Sequence, residues 1–289
     1  MRSISLLASL ILVLGLSASW FAGSMMVRGQ HSAVAPAAAP AEDVVLRTSD
    51  RLSIAATYTP GRSDRSPGVL LLHGVGASRV STAANADWLA SLGYATLAID
   101  FRGHGQSDIA PRTFGISEAL DARAAFDWLK HRQQGAPVAV IGMSLGGAAS
   151  LIGDEGPLPA DALILQAVYP DIRHAIRNRI ASRLPLPLAY LLEPLLSFQS
   201  LPRFGVWPSR LSPIAALSRY RGPVLIVGGE MDRSTPPAET RALFAAVTGP
   251  REIWMSPVGD HAAMGEPPDP GYRIHLKAFL ERSLAGLAR

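Results

Sequence analysis

Ser144 sits in Gly142-Met143-Ser144-Leu145-Gly146, and its flanks decide whether that pattern carries chemistry. Val138-Ala139-Val140-Ile141 reads as a strand, and Leu145-Gly146-Gly147-Ala148-Ala149 opens a helix of small residues. A serine on so sharp a strand-to-helix turn takes a strained backbone. Gly142 and Gly146 lack side chains, so neighbouring backbone can close in around it. The helix amino end adds free N–H groups and partial positive charge beside the hydroxyl. These are the requirements of a nucleophile on an acyl carbon. The competing reading is a glycine-rich packing turn with no chemistry.

A serine hydroxyl is a weak nucleophile and needs a base. On a turn of this kind the acid follows the serine and the histidine comes last. Downstream of Ser144 stand His174, His261 and His275. His261 lies in Pro257-Val258-Gly259-Asp260-His261, just after the last strand pattern, which selects it as the base. His174 falls in a helical insertion and His275 on the last helix, both as surface residues. Val224-Leu225-Ile226-Val227-Gly228 leads into Gly229-Glu230-Met231-Asp232, making Asp232 the expected acid. It would hold the imidazole in the right tautomer and stabilise its charged form. Glu230 and Asp260 are rivals, and a helix-capping role is the plainer reading of Asp232. Upstream, Leu72-His73-Gly74-Val75-Gly76 follows a strand end. The backbone N–H groups of Val75 and Leu145 are expected to hold the oxyanion, each worth about 3 kcal/mol of barrier. His73 reads as a structural hydrogen-bonding residue, and Gly74 as a shaper of the loop.

These residues need elements to hold them. Val44–Arg47 and Leu52–Tyr58 look like a hairpin turning at Ser49-Asp50. Short apolar runs at Val69–His73, Ala95–Asp100, Val138–Gly142, Ala162–Val168, Val224–Gly228 and Arg251–Met255 read as buried strands. Helices are expected at Ser81–Leu92, from Ser144, at Pro237–Val247 and at Tyr272–Leu284. A further helix is expected to turn Ile116, Leu120, Ala124 and Trp128 inward. Alternation of strand and helix predicts a doubly wound, mostly parallel eight-stranded α/β sheet, with functional loops at the strand carboxyl ends. The stretch from about Asp171 to Arg221 has no clear strand and is rich in Pro, Leu and Arg. It is expected to be an inserted helical cap, because a structureless loop that long is improbable.

Four segments in this order resemble the α/β-hydrolase superfamily. They are His73-Gly74-Val75-Gly76, Asp100-Phe101-Arg102-Gly103-His104-Gly105-Gln106-Ser107, Gly142-Met143-Ser144-Leu145-Gly146-Gly147, and the loops of Asp232 and His261. The second segment is similar to the loop after the fourth strand in the branch of monoglyceride-lipase-like, lysophospholipase-like and serine-aminopeptidase-type members. There it shapes the loop beside the active site, which leaves His104 outside the catalytic set. A nucleophilic Ser instead of Asp sets the chain apart from the epoxide-hydrolase and haloalkane-dehalogenase branches. The resemblance implies a serine hydrolase of carboxylic esters or lipid-like esters, working through an acyl-enzyme and needing no cofactor or metal. Peptidase, thioesterase and acyltransferase chemistry would use the same site. A non-catalytic binding protein would have no need of all three triad residues.

The 289 residues are 48% hydrophobic and 17% charged, enough for one large core. With no cysteine, disulfides and thiolate metal sites are excluded. Asp171 to Arg221 holds eight arginines against two acids, so the excess of positive charge is local. No basic stripe with aromatic platforms accompanies it, which argues against nucleic acid. Ser3 to Val27 carries no charge, long enough to cross a bilayer as a signal anchor. The domain would then lie outside the cytoplasm, or be released there if Ser17-Ala18-Ser19 served as a signal cleavage site. Residues 1–29 are thus the leader, 30–42 an extended Ala/Pro-rich linker, and 43–289 the hydrolase domain.

Overall fold

The computed structural model describes residues 2–265 and 270–284. In chain order it runs α1 (Arg2–Val27), β1 (Glu42–Arg47), β2 (Ser53–Thr59), β3 (Gly68–Leu72), α2 (Ala83–Ser91) and β4 (Ala95–Ile99). Next come α3 (Glu118–Arg132), β5 (Val138–Met143), α4 (Leu145–Leu151), β6 (Ala162–Gln166), α5 (Ile172–Ala181) and α6 (Leu186–Ser197). The chain closes with α7 (Ser200–Phe204), α8 (Pro213–Leu217), β7 (Val224–Gly229), α9 (Pro237–Ala246), β8 (Arg251–Ser256) and α10 (Pro270–Leu284).

The strands form one eight-stranded sheet in the order β1-β2-β4-β3-β5-β6-β7-β8. The β1–β2 and β2–β4 pairs are antiparallel and all others parallel, as expected for an edge hairpin on a doubly wound sheet. Period-two alternation sorts the core into two layers. Leu70, Leu72, Val140, Leu163, Leu165 and Ile226 face one side with Ala122, Phe126 and Leu129 of α3 and Leu243 of α9. Val69, Leu71, Ile141, Ile164 and Val227 face the other with Leu89 of α2 and Leu276, Phe279 and Leu280 of α10. Strands covered on both faces cannot alternate apolar with polar, which is why they read as continuous apolar runs.

The inner stripe of α3 differs from expectation. Ala122, Ala125, Phe126 and Leu129 are buried, whereas Leu120 is 37% exposed and Ala124 and Trp128 are half-buried. At 100° per residue, a run spaced strictly by four drifts around the helix. The buried set falls at i, i+3, i+4 and i+7, which holds one face.

Between β6 and β7 the chain is helical, with α5 to α8 where a cap was expected. Residues 28–41 form neither helix nor strand, but they are tied to the body. The N–H groups of Gln30 and Ser32 donate to the carbonyls of Gly103 (3.0 Å) and Gly105 (2.9 Å). Both glycines have positive φ, which turns these carbonyls toward the passing chain.

Candidate active site

Ser144 ends β5 and opens α4 with φ 48° and ψ −107°, a backbone conformation that L-residues rarely hold. Its N–H donates to the Gln166 carbonyl at 2.8 Å, and its carbonyl accepts from Ala148 at 3.0 Å. The glycines permit the turn. A Cβ at Gly142 would lie 2.6 Å from the Gly147 nitrogen, and one at Gly146 only 2.2 Å from the Leu72 carbonyl oxygen. Ser144 is therefore clamped between the ends of β3 and β6 and is 6% exposed.

Asp232 follows β7, as expected, and is buried. Its Oδ1 accepts from the N–H groups of Ser234 (2.7 Å) and Thr235 (2.8 Å). Its Oδ2 lies 2.8 Å from Nδ1 of His261. One oxygen of the carboxylate thus closes the Ser234–Thr235 turn, ahead of the α9 N-cap at Pro236, and the other faces the imidazole. With Nδ1 engaged by the carboxylate, Nε2 is the nitrogen free to exchange a proton with a substrate or nucleophile. The His261 side chain remains 22% exposed.

The loops of Asp232 and His261 are stitched together. Glu230 N–H donates to Ser256 (2.9 Å) and Met231 N–H to Gly259 (3.2 Å). A Cβ at Gly229 would meet the Gly259 carbonyl oxygen at 2.1 Å, so only glycine allows this approach. Past His261, a Cβ at Gly265 would lie 3.2 Å from Sδ of Met143, which brings this loop against the residue before Ser144. Asn85 on α2 holds the same loop through the Gly265 carbonyl (2.7 Å).

The rivals are occupied elsewhere. Glu230 pairs with Arg241 (2.6 Å), and Asp260 is exposed and accepts from the Ala263 N–H (3.0 Å). His174 pairs with Asp171 (2.9 Å) at the start of α5, and His275 bonds the Gly271 carbonyl (2.8 Å) on α10.

After β3, a Cβ at Gly74 would lie 3.7 Å from Cβ of Ser144, so this loop runs beside the serine. Among the described residues, the N–H groups of Val75 and Leu145 have no acceptor, leaving both available to an oxyanion. His73 fixes the loop from within. Its Nδ1–H donates to the Gly74 carbonyl (2.7 Å), and Nε2 accepts from Phe101 N–H (3.1 Å). Burial pushes its pKa down to about 4 against the Gly74 bond, with Arg112 adding to the fall. His104 meets it edge to face at 5.1 Å between ring centroids and is pushed to about 3, by burial first and then by His73 and Arg112. Both are neutral spacers.

One contributor was not legible as such in the sequence. Buried Arg79 binds both oxygens of Asp100 and reaches Gln106 Oε1 at 2.7 Å and Thr57 Oγ1 at 3.0 Å. It locks the loop after β4 to the loop after β3. Asp100 at the end of an apolar strand was the available signal, since a buried carboxylate requires a partner.

Among the described residues, no cluster of three or more His, Asp or Glu side chains is arranged to hold a metal ion. The site itself brings together a serine in a strained turn, an imidazole held by an aspartate, and loop N–H groups.

Residues 64–203 match the family model of serine aminopeptidase, S33. The Bacillus subtilis protein YqkD is 24% identical over 216 residues, covering 74% of this chain and 70% of that protein. Lysophosphatidylserine lipase ABHD12 of Bos taurus is 35% identical over 127 residues, covering 42% of this chain and 31% of the lipase. An esterase of Pyrococcus furiosus superposes with a TM-score of 0.68 at 21% identity, covering 89% of this chain and 98% of the esterase, a likeness of fold. Sheet order, the turn at Ser144 and these matches converge, and the chain belongs to the α/β-hydrolase superfamily.

Proposed function

We propose that the protein is a serine hydrolase of carboxylic esters, lipid-like esters among them, acting through Ser144, His261 and Asp232. The observation that carries the proposal is the 2.8 Å Asp232–His261 pair at the sheet edge that also bears Ser144 in its strained turn. Ser144 Oγ attacks the acyl carbon while His261 Nε2 takes its proton. The N–H groups of Val75 and Leu145 receive the oxyanion. Asp232 stabilises the imidazolium, which then protonates the departing alkoxide. Water, deprotonated by His261, attacks the acyl-enzyme and releases acid and free Ser144. The cycle calls on no metal or organic cofactor. The lipase among the relatives supports the lipid-like end of the substrate range.

The family match favours a second reading, amide cleavage at the same site. It differs in the leaving group, an amine that His261 must protonate. Kinetics on paired ester, thioester and amide substrates sharing one acyl group decide between them, with the ester expected to be turned over fastest. An alcohol acceptor added to the assay separates hydrolysis from acyl transfer. A fluorophosphonate probe tests the nucleophile: it should label the parent, and Ser144→Ala should abolish labelling and lower kcat by about a millionfold. Labelling that persists in Ser144→Ala would refute the assignment.

Helix α1 is long and apolar enough over Ser9–Val27 to cross a membrane, by length and composition, a test that a signal sequence also passes. We assign it as an uncleaved anchor that holds the domain outside the cytoplasm. Residues 30–42 form the connection, and 171–221 the cap of the 43–289 domain. The support is that the carboxyl end of α1 is built into the cap: Gln199 donates to the Ser19 carbonyl (3.0 Å) and Arg203 to that of Trp20 (2.7 Å). Recovery of the intact amino terminus in the membrane fraction is the expected result; a soluble product beginning after Ser19 would overturn it.

A further inference from the structure

Two apolar surfaces meet on this molecule. Along α1, Leu10 to Leu14 are all more than half exposed, and burial begins only at Ser19. From there Gly23 is buried and Ser24, Met26 and Val27 are half-buried, one stripe at helical spacing. That stripe packs on α6 and α7. Ser19 Oγ donates to the Leu195 carbonyl (2.8 Å), and Arg203 donates to Ser24 Oγ (2.9 Å). A Cβ at Gly23 would meet Gln199 Oε1 at 2.0 Å, so the two elements touch backbone to side chain.

Helix α6 extends this surface. Leu186, Leu188, Tyr190, Leu191 and Leu195 are each at least 42% exposed. A row of that size on one helix exceeds the scattered apolar residues of an ordinary surface. Its rim is aromatic and cationic: Arg203 lies 3.8 Å over Trp20 and Arg177 4.6 Å over Tyr190, with Arg179 and Arg183 exposed nearby. Tryptophan, tyrosine and arginine together suit the boundary between acyl chains and anionic headgroups.

Length converts this adjacency into a depth. From Arg2 to Ala18, the part of α1 clear of the cap, the helix rises only about 25 Å. The hydrocarbon core of a bilayer is about 30 Å thick. A span that short reaches across only if the membrane surface rises past Trp20, and α6 is what stands there. Resting on the anchor reading of α1, we propose that α1 and the exposed face of α6 form a single membrane-seated surface. Its occupant is the outer leaflet of a lipid bilayer. The domain sits in the interface, cap side down, and a lipid-like ester reaches the cap from the leaflet without crossing water.

The protein has no cysteine, so single cysteines report unambiguously. The full chain carrying Leu188→Cys, Leu191→Cys or Leu195→Cys is labelled with an environment-sensitive fluorophore. It is reconstituted in phosphatidylcholine–phosphatidylglycerol vesicles with or without brominated acyl chains. Leu14→Cys reports on the anchor, and Val45→Cys and Ile274→Cys, both exposed elsewhere, report on water. The expected result is that brominated lipid removes most of the fluorescence of the three cap labels and of Leu14→Cys, and none from the water reporters. Quenching at Leu14→Cys alone would overturn the proposal and leave the anchor reading standing. An unquenched Leu14→Cys would remove the anchor reading too, without touching the hydrolase assignment. Self-quenching of the cap labels that grows with protein density, independent of bromination, would assign the face to a second copy and also overturn the proposal.

Discussion

Asp232 divides its carboxylate between the Ser234–Thr235 turn and His261, and that division can be tested atom by atom. In Asp232→Asn the carbonyl oxygen can keep the turn, leaving the amide NH₂ to face Nδ1. The imidazole must then accept there and carry its proton on Nε2, the wrong tautomer for deprotonating Ser144. The expected outcome is a fall of kcat by about 10⁴ with little change in melting temperature. Asp260→Asn, placed away from the imidazole, should leave kcat at the parent level. A second test concerns His73 and His104. Both are neutral in the fold, with pKa values near 4 and 3, whereas an unfolded chain titrates them near the ordinary 6.5. The unfolded state therefore binds more protons below about pH 6.5, so stability falls as pH is lowered from there toward 4. The urea midpoint should shift in that window by the equivalent of a few kcal/mol. His104→Gln should flatten the slope, and a midpoint independent of pH across the window would refute the reading.

At the scale of elements, the site depends on how closely two loops approach. Gly229 leaves no room for a side chain against the Gly259 carbonyl, so Gly229→Ala must push the His261 loop away from Asp232. A displacement of about 1 Å costs on the order of 10² in turnover. We expect such a loss of kcat, with destabilisation of about 1–3 kcal/mol from overpacking. Gly205 at the end of α7 is the contrast: φ is 68°, but nothing lies within 4 Å of an added Cβ. Gly205→Ala should cost about 1 kcal/mol in a urea melt and leave kcat alone. Comparable kinetic losses in both variants would show that the Gly229 contact does not position the triad. The elements themselves were largely legible. All eight strands fall where the sequence places them, and β3 to β7 read as apolar runs because burial on both faces leaves no other pattern. The inner face of α3 was not, because residues four apart drift around a helix and only packing reveals which stripe the sheet selects.

The whole molecule couples an apolar helix to the helices between β6 and β7 and, through residues 28–41, to the loop after β4. Gln199 and Arg203 supply most of the polar part of that coupling, beside the Ser19–Leu195 bond. The double variant Gln199→Ala/Arg203→Ala should release the carboxyl half of α1 from the cap, read as faster amide hydrogen exchange over Ser19–Val27 in detergent. Hydrolysis of a short water-soluble ester should be unchanged, because neither side chain reaches the Ser144 loop. Unaltered exchange would mean that apolar contacts alone hold the helix, with Met26 and Leu196 as the next residues to change.

The sequence by itself determined the glycine-flanked turn at Ser144, the chain order of Ser144, Asp232 and His261, and the sheet that carries them. Each is a local signal: glycines at a strand-to-helix junction, a polar loop after an apolar run, a strand too apolar to face water. Tertiary structure decided what local signals cannot contain. It chose Asp232 over Glu230 and Asp260 as the partner of His261, because direction and distance between loops set that pairing, and chain proximity does not. It supplied the Arg79–Asp100 lock, whose members lie 21 positions apart. It also joined α1 to the helices between β6 and β7, some 180 positions away.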